Sequence, residues 1–482
     1  MKYIIGIDQS TQGSKAVLFD ETGKFIDRAD LAHKQLVNDK GWVSHDLTEI
    51  YENVQKVVRS LIEQTGINKA DIAAVGISNQ RETTAMWNLQ GDPLADAIVW
   101  QCSRAEQIVK RYYDHKDIVY EKTGIPLSPY FPAVKMKWLL ENVEHDKDYL
   151  LGTMDTWLIY KLTQGAVFAT DYSNASRTQL FNLKTLSWDE ELCSLFGIPL
   201  QALPEVCDSN SCFGFTDFEG CLDHKIPIHA AMGDSHAALF GQGCHKEGMV
   251  KATYGTGSSI MMNTGKSCVK SQHGLATSLA WGMDGYVEYV LEGNINYAGA
   301  VITWLQQDMH LIESAKEVED YIQKANPEDT SVLVPAFSGL GAPYWKDGAK
   351  AMLYGMSRTT GQAEIVKAAV ESIAFQVGDV LKAMRQDSER IITELRVDGG
   401  PTKNRYLMQF ESDIAKQKIC VSKQEELSAI GVAYMAGIAA GVYDKEEVFV
   451  NVSYDTYKPS MEEKDRAGRL ALWEDAIAMV LR

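Results

Sequence analysis

Two stretches half a chain apart carry the same pattern, and this repetition limits the fold more than any other feature of the sequence. In the first, apolar residues 3–7 run into the polar turn Asp8-Gln9-Ser10-Thr11-Gln12-Gly13-Ser14-Lys15 and out through apolar residues 16–19. In the second, residues 248–254 and 258–262 flank Gly255-Thr256-Gly257. Each reads as two strands joined by a turn of small and hydroxyl residues. A unit recurring at half the chain length predicts two related lobes rather than one large sheet. The seam falls near residue 245, giving a first lobe over 1–245 and a second over 246–482. The length agrees, since 482 residues at roughly 150 per domain ask for two or three domains.

The rest of the pattern is α/β. Asp46 and Glu49 have capping-box spacing ahead of Ile50, Val54, Val57, Val58 and Leu61, which recur at helical spacing. Residues 72–78 then read as a buried strand. In the second half a helical pattern over 363–384 precedes a strand at 394–397 and a helix from Asn404. In sheets of this kind ligands sit beyond the carboxyl ends of the strands. Asp8, Asp234 and Asp398-Gly399-Gly400 each directly follow an apolar strand-like run, so all three are expected at one cleft.

Composition narrows the partners. The formal charge of −18 is spread along the chain without a basic stripe, which argues against nucleic acid. No segment reaches the roughly 18 uncharged apolar residues of a membrane span, and residues 429–443, the longest candidate, read as a buried helix. The apolar run before Asp8 is too short for a signal peptide. Eight scattered cysteines then read as reduced thiols in a cytoplasmic protein. Cys207, Cys212, Cys221 and His224 lack the paired spacing of a zinc site.

Two familiar phosphate motifs are absent. Ile260 stands where a P-loop ending in Gly265-Lys266-Ser267 needs its first glycine, and Gly255-x-Gly257-x-x-Ile260 lacks the third glycine of a dinucleotide fingerprint. What remains is the pair of turns, whose backbone N–H groups and hydroxyls can cradle phosphate oxygens or simply connect strands. Arg81-Glu82 follows a strand and can grip neighbouring hydroxyls of a polyol, or form a surface ion pair of little consequence. Asp234 opens a helix, where it serves either as a cap or as an ionised general base facing a substrate hydroxyl.

A resemblance then emerges from Asp8-Gln9-Ser10-Thr11, Asn79-Gln80-Arg81-Glu82-Thr83-Thr84, Trp100-Gln101, Ser128-Pro129-Tyr130-Phe131, Asp155-Thr156-Trp157, Asp171 to Arg177, Gly233-Asp234, Tyr254 to Gly257, Gly339 to Trp345 and Val397 to Gly400. In that order these motifs resemble the FGGY carbohydrate kinases, and within them the glycerol kinase branch. The resemblance implies an α/β fold of two actin-like, ribonuclease H-like ATPase lobes with an interlobe cleft. It also implies ATP and magnesium as cofactors and a small polyol or ketose as acceptor, without nucleic acid or membrane insertion. Self-association as a homodimer or homotetramer is the prior among such relatives.

By the same resemblance Asp8 positions magnesium. Thr11, Gln12, Ser14 and Lys15, the last replacing the usual Arg, line the first phosphate turn, and Thr256 and Gly257 form the second. Gly299, Thr303, Gly400 and Asn404 bound the adenosine pocket. Arg81, Glu82, Trp100, Tyr130, Ser235 and Ser259 surround the acceptor, with Asp234 as base.

Two departures bear on the acceptor. Ser235 stands where glycerol kinases usually carry Gln, and Ser259 where they usually carry Phe. Both shrink the side chain, so the expectation is a pocket enlarged for a four- or five-carbon polyol or ketose, with glycerol kinase proper as the alternative. An actin-like ATPase driving partner binding has no need of a polyol grip, and a sugar-sensing module without activity is expected to have lost Asp8 or Asp234.

Overall fold

A computed structural model describes all of residues 1–482. The first lobe is built on a six-stranded sheet ordered Phe215–Thr216, Ile226–Gly233, Ile72–Asn79, Tyr3–Gln9, Gly13–Phe19, Phe25–Ala32. The second is built on seven strands ordered Ala276–Met283, Tyr286–Ile295, Ser258–Gly265, Met249–Tyr254, Glu394–Gly399, Ile419–Ser422, Tyr454–Tyr457. In each sheet three antiparallel strands are followed, beside the first of them, by two parallel strands, the third antiparallel strand of the second sheet being Tyr286–Ile295, with Ala276–Met283 outside it. The repetition seen in the hairpins therefore extends through five strands of both lobes. Parallel strands covered on both faces read as unbroken apolar runs, and Ile4, Ile5, Ile7, Val75 and Ile77 are fully buried.

Register carries the duplication down to single residues. Asp8 lies opposite Ser78, and Thr253 lies opposite Asp398. Ser78 Oγ donates to Asp8 at 2.9 Å and Thr253 Oγ1 donates to Asp398 at 2.8 Å. The two lobes thus hold one carboxylate–hydroxyl pair each at the same place, with the partners exchanged between strands.

The helix expected after Asp46 runs over Leu47–Thr65, and the Asp46 carboxylate accepts from the N–H groups of Thr48 and Glu49. The patterns at 363–384 and after Asn404 become the helices Gln362–Ser388 and Arg405–Ala415, the second capped by the Asn404 side chain. Between the strands Ile72–Asn79 and Ile226–Gly233 the chain makes a long excursion. It supplies three strands, Thr84–Asn88, Ala97–Ile98 and Tyr149–Thr153, of a separate five-stranded sheet.

The linear seam near residue 245 does not coincide with a break in the core. The apolar helix Leu427–Ala439, from the second half, packs on the first sheet against Ile72–Asn79 and Tyr3–Gln9. It approaches so closely that a Cβ on Gly76 would stand 2.2 Å from the Val432 carbonyl oxygen, a distance only glycine avoids. One buried cluster therefore contains Ile4, Ala230, Met261, Trp281 and Val432, residues of both sheets and of the crossing helix. No helix is long and apolar enough to cross a membrane.

A buried carboxyl ties the second lobe together. Tyr254 Oη donates to Glu411 Oε1 at 2.5 Å, and Glu411 Oε2 has no partner. Burial pushes the Glu411 carboxyl up to about 8. Its folded pKa lies above its unfolded one, so its contribution is fully present below about pH 4.5 and is lost as pH rises towards 8. Thermal unfolding of Glu411→Gln should lack this component. The variant should gain on the parent protein from pH 5 to pH 8, by at most about 1.4 kcal/mol per pH unit. Parallel curves for the two proteins would contradict the assignment.

Candidate active site between the lobes

A cavity of about 680 Å³ opens between the two sheets, lined by residues of both halves. It gathers Arg81, Glu82, Trp100, Tyr130, Asp234 and Ser235 from the first half, with Thr11 and Gln12 from the first turn. Thr256, Gly257 and Ser259 face them from the second turn and the strand after it. Residues as far apart in sequence as Ser10 and Asn296 thus meet at the ends of strands that point into one cleft, as an α/β sheet requires. A second cavity of about 540 Å³ brings together Gly299, Thr303, Gly400 and Asn404, with Ile302, Pro401 and Leu407 supplying apolar wall.

The two turns are closed by their own hydrogen bonds. Ser10 donates to the Gly13 carbonyl through both its N–H, at 2.8 Å, and its hydroxyl, at 3.0 Å. The Gly255 N–H donates to the Gly257 carbonyl at 2.9 Å. The first turn is shorter than the polar stretch in the sequence. Ser14 and Lys15 already belong to the strand Gly13–Phe19 and lie outside the cavity lining. The Ser14 hydroxyl is buried without a partner, while Lys15 Nζ lies 2.8 Å from Glu426 Oε2 of the second half.

Asp234 is the first residue of the helix Asp234–Gly241, where the dipole favours an anion. Its Oδ1 accepts from the Ser235 N–H at 2.6 Å and from Arg81 Nε at 3.2 Å. Gly233 makes this contact possible, since a Cβ there would meet Arg81 Cγ at 2.6 Å. About a third of the Asp234 side chain stays exposed to the cavity.

Arg81 and Glu82 do not form the surface pair considered from sequence. They belong to a buried network in which Arg81 Nη1 and Nη2 donate to Glu292 at 3.0 and 2.8 Å. Arg177 reaches Glu82 with Nε and Glu292 with Nη1, both at 2.6 Å. Ser259 Oγ adds a third hydrogen-bond donor, at 2.9 Å from Glu292 Oε1. Burial alone would raise the Glu292 pKa, but Arg177 and Arg81 hold it well below the usual carboxylate range. The two guanidiniums are thus shared among Glu82, Glu292 and Asp234. Asp234 is the one carboxylate of the three exposed to the cavity.

Trp100 links the acceptor side to the first turn, its Nε1 donating to Thr11 Oγ1 at 2.9 Å. Its ring lies 5.3 Å from that of Tyr130. Of the three carboxylates expected at one cleft only Asp234 lines the cavity; Asp8 and Asp398 are largely buried at their strand ends, and Asp398 lines a separate cavity with Gly399 and Gly400. Burial and the nearby charge of Asp234 push the Asp8 carboxyl up to about 7, with Lys15 opposing. Asp398 rises to about 6 through burial, against the pull of the buried Lys251 ammonium.

Sequence reasoning missed Glu292, which lies in the strand Tyr286–Ile295 between Leu291 and Gly293. A carboxylate amid Val290, Leu291 and Gly293 was the available signal, because an ionised group there must be paired. Asn294 and Asn296, which also line the cavity, carried no such signal.

Residues 3–241 match the N-terminal domain, and residues 250–440 the C-terminal domain, of the FGGY family of carbohydrate kinases. The chain is 44% identical over 493 residues to a glycerol kinase of Alkaliphilus oremlandii, covering all of this chain and 98% of that protein. It is 45% identical over 492 residues to glycerol kinase 1 of Thermotoga maritima, covering 99% of each. Among solved structures, glycerol kinase of Plasmodium falciparum with ADP superposes with a TM-score of 0.94 at 35% identity, covering 100% of this chain and 99% of that one. Xylulose kinase of Lactobacillus acidophilus shares the fold, with a TM-score of 0.90 at 23% identity and coverage of 99% and 98%.

Proposed function

The chain belongs to the FGGY family of carbohydrate kinases and is an ATP-dependent phosphotransferase acting on an alcohol group, and on that premise we propose that its acceptor is glycerol. The observation that carries the reading is the placement of Asp234. Its carboxylate lies in one cavity with Arg81, Glu82 and Tyr130 on one side and the Gly255-Thr256-Gly257 turn on the other. A hydroxyl held by the first group would give its proton to Asp234 while the turns hold the phosphates in line. The second cavity, with Gly299, Thr303, Gly400 and Asn404, suits the adenosine. Full-length relatives that are glycerol kinases, at 41–45% identity, favour glycerol over the four- or five-carbon acceptor expected from Ser235 and Ser259.

Transfer of a phosphoryl group passes through a loose transition state, so alignment, charge neutralisation and exclusion of water supply the catalysis. Arg81 Nε steadies Asp234 at the N-terminal end of its helix, where the dipole favours an anion. No trio of His, Cys, Asp or Glu side chains is placed to hold a metal ion unaided. Magnesium, which takes one or two carboxylates together with substrate phosphates, suits Asp8, whose raised pKa reflects burial and the crowding of a second carboxylate. Bound there, it would neutralise charge on the transferring group. A cytoplasmic homodimer or homotetramer completes the proposal, on the resemblance alone.

One observation favours a second reading. Ser235, Ser259 and Asn294 give the cavity a polar lining that could meet an additional hydroxyl. Specificity constants for glycerol, erythritol, erythrulose and xylulose, measured through coupled ADP release, separate the two. Glycerol should give the highest value, by roughly tenfold or more. A four- or five-carbon compound ahead of glycerol would replace the proposal with the second reading, and no turnover of any would remove both.

A further inference from the structure

We infer that Lys135 is a positioning residue that assembles the acceptor site, tying together the three segments that present Glu82, Trp100 and Tyr130 to the cavity. Lys135 sits in the first turn of the helix Pro132–Asn142 and is fully buried. Three main-chain carbonyls lie within hydrogen-bond reach of its nitrogen, one for each proton of the ammonium form, while burial pushes the Lys135 pKa down to about 7. Nζ donates to the carbonyl oxygen of Tyr130, to that of Trp100 at 3.1 Å and to that of Glu82 at 3.4 Å. These carbonyls belong to the three residues whose side chains line one side of the cavity.

The placement is costly unless the charge has a use. A buried ammonium loses its hydration, and a cation in the first turn of a helix lies at the unfavourable end of the dipole. An apolar residue would fill the same volume without either cost. The inward-turned carbonyls of Trp100 and Tyr130 would then be left buried and unpaired, and that of Glu82 would keep Thr84 Oγ1 alone, so the loops would move apart to reach water. Glu82 is the sharpest case. Its backbone has φ of +58°, a left-handed conformation that a non-glycine residue holds only when its surroundings impose it. The carbonyl that Lys135 grips, together with Thr84 Oγ1 at 3.1 Å, fixes that conformation and with it the aim of the Glu82 carboxylate. Lys135 touches no atom of the nucleotide cavity, and its one route to the phosphate turn is the Trp100 indole on Thr11 Oγ1, so its influence should fall chiefly on the acceptor.

This inference rests on the acceptor reading above, and the test keeps the two apart. Steady-state constants are measured with glycerol, or with erythrulose if the parent protein does not turn over glycerol, a result that would count against the function and not against Lys135. Lys135→Met, which keeps the stem and loses the donors, should raise the acceptor KM by roughly tenfold or more. Its kcat should stay within about threefold and its ATP KM within about twofold of the parent values. Lys135→Arg, which keeps charge and donors in more volume, should recover most of the acceptor KM. An unchanged acceptor KM in Lys135→Met, or acceptor and ATP constants rising together, would overturn the role. So would a Lys135→Arg variant no better than Lys135→Met, since a space-filling residue would tolerate neither. Should Lys135→Met not fold, Lys135→Gln, with two N–H donors on a shorter stem, is read the same way; failure of both to fold would assign Lys135 to the core instead.

Discussion

Asp234→Asn is expected to lower kcat by about 10³-fold while leaving the ATP KM within about twofold of the parent value. The amide keeps the shape of the side chain and can still accept from Arg81 Nε and the Ser235 N–H, the two hydrogen bonds that hold it. What it loses is the capacity to take a proton. The side chain is about a third exposed and forms no part of the apolar core, so the melting temperature should hardly move. Initial rates with saturating ATP and acceptor, together with nucleotide binding by calorimetry, make the comparison. A variant that retained more than about a tenth of the parent turnover would remove Asp234 from the role of base, given the 10²- to 10⁴-fold reach of that kind of catalysis.

Glu292→Gln should have the second largest effect, and it should reach both stability and activity. The parent side chain accepts from Arg81 and Ser259, lies against the Arg177 guanidinium and is completely enclosed. Removing its charge takes from Arg81 and Arg177 the carboxylate they share while each keeps one other, Asp234 and Glu82, so the cost should fall below the about 3–5 kcal/mol of a buried charge left wholly unpaired. The effect on chemistry follows from geometry. Glu292 occupies both Nη groups of Arg81, so only Nε reaches Asp234. Without that restraint the Arg81 fork is free to close on Asp234 through two hydrogen bonds. The base would then be fully paired and less able to accept a proton. The specificity constant for the acceptor should fall by roughly 100-fold, with kcat contributing to the loss. Thermal unfolding and a kinetic comparison with glycerol test both halves. Unchanged stability would show that the network is not a structural unit, and an unchanged specificity constant would show that Arg81 does not depend on it.

The legible part of this protein lay in short-range pattern. The paired hairpins announced two lobes, and the strand order of both sheets bears this out. Asp234 was legible because an aspartate closing an apolar run and opening a helix has few roles. Arg81 and Glu82 were legible as a pair after a strand, but their partners were not. Arg81 meets Glu292, 211 residues away, and Glu82 meets Arg177, 95 residues away. Lys135 had no local mark at all, because its partners are carbonyl oxygens, which every residue possesses.

By itself the sequence determined the elements and the residues able to do chemistry. Strand and helix follow from the spacing of apolar side chains, and a turn of glycine, serine and threonine declares itself over a dozen residues. The tertiary structure alone decided which charges neutralise one another, which carboxylate is left facing the cavity, and that the helix Leu427–Ala439 of the second half completes the core of the first. The physical reason is that burial makes pairing compulsory without saying who the partner is. A buried arginine must find a carboxylate, and only the folded path of the chain decides which one arrives.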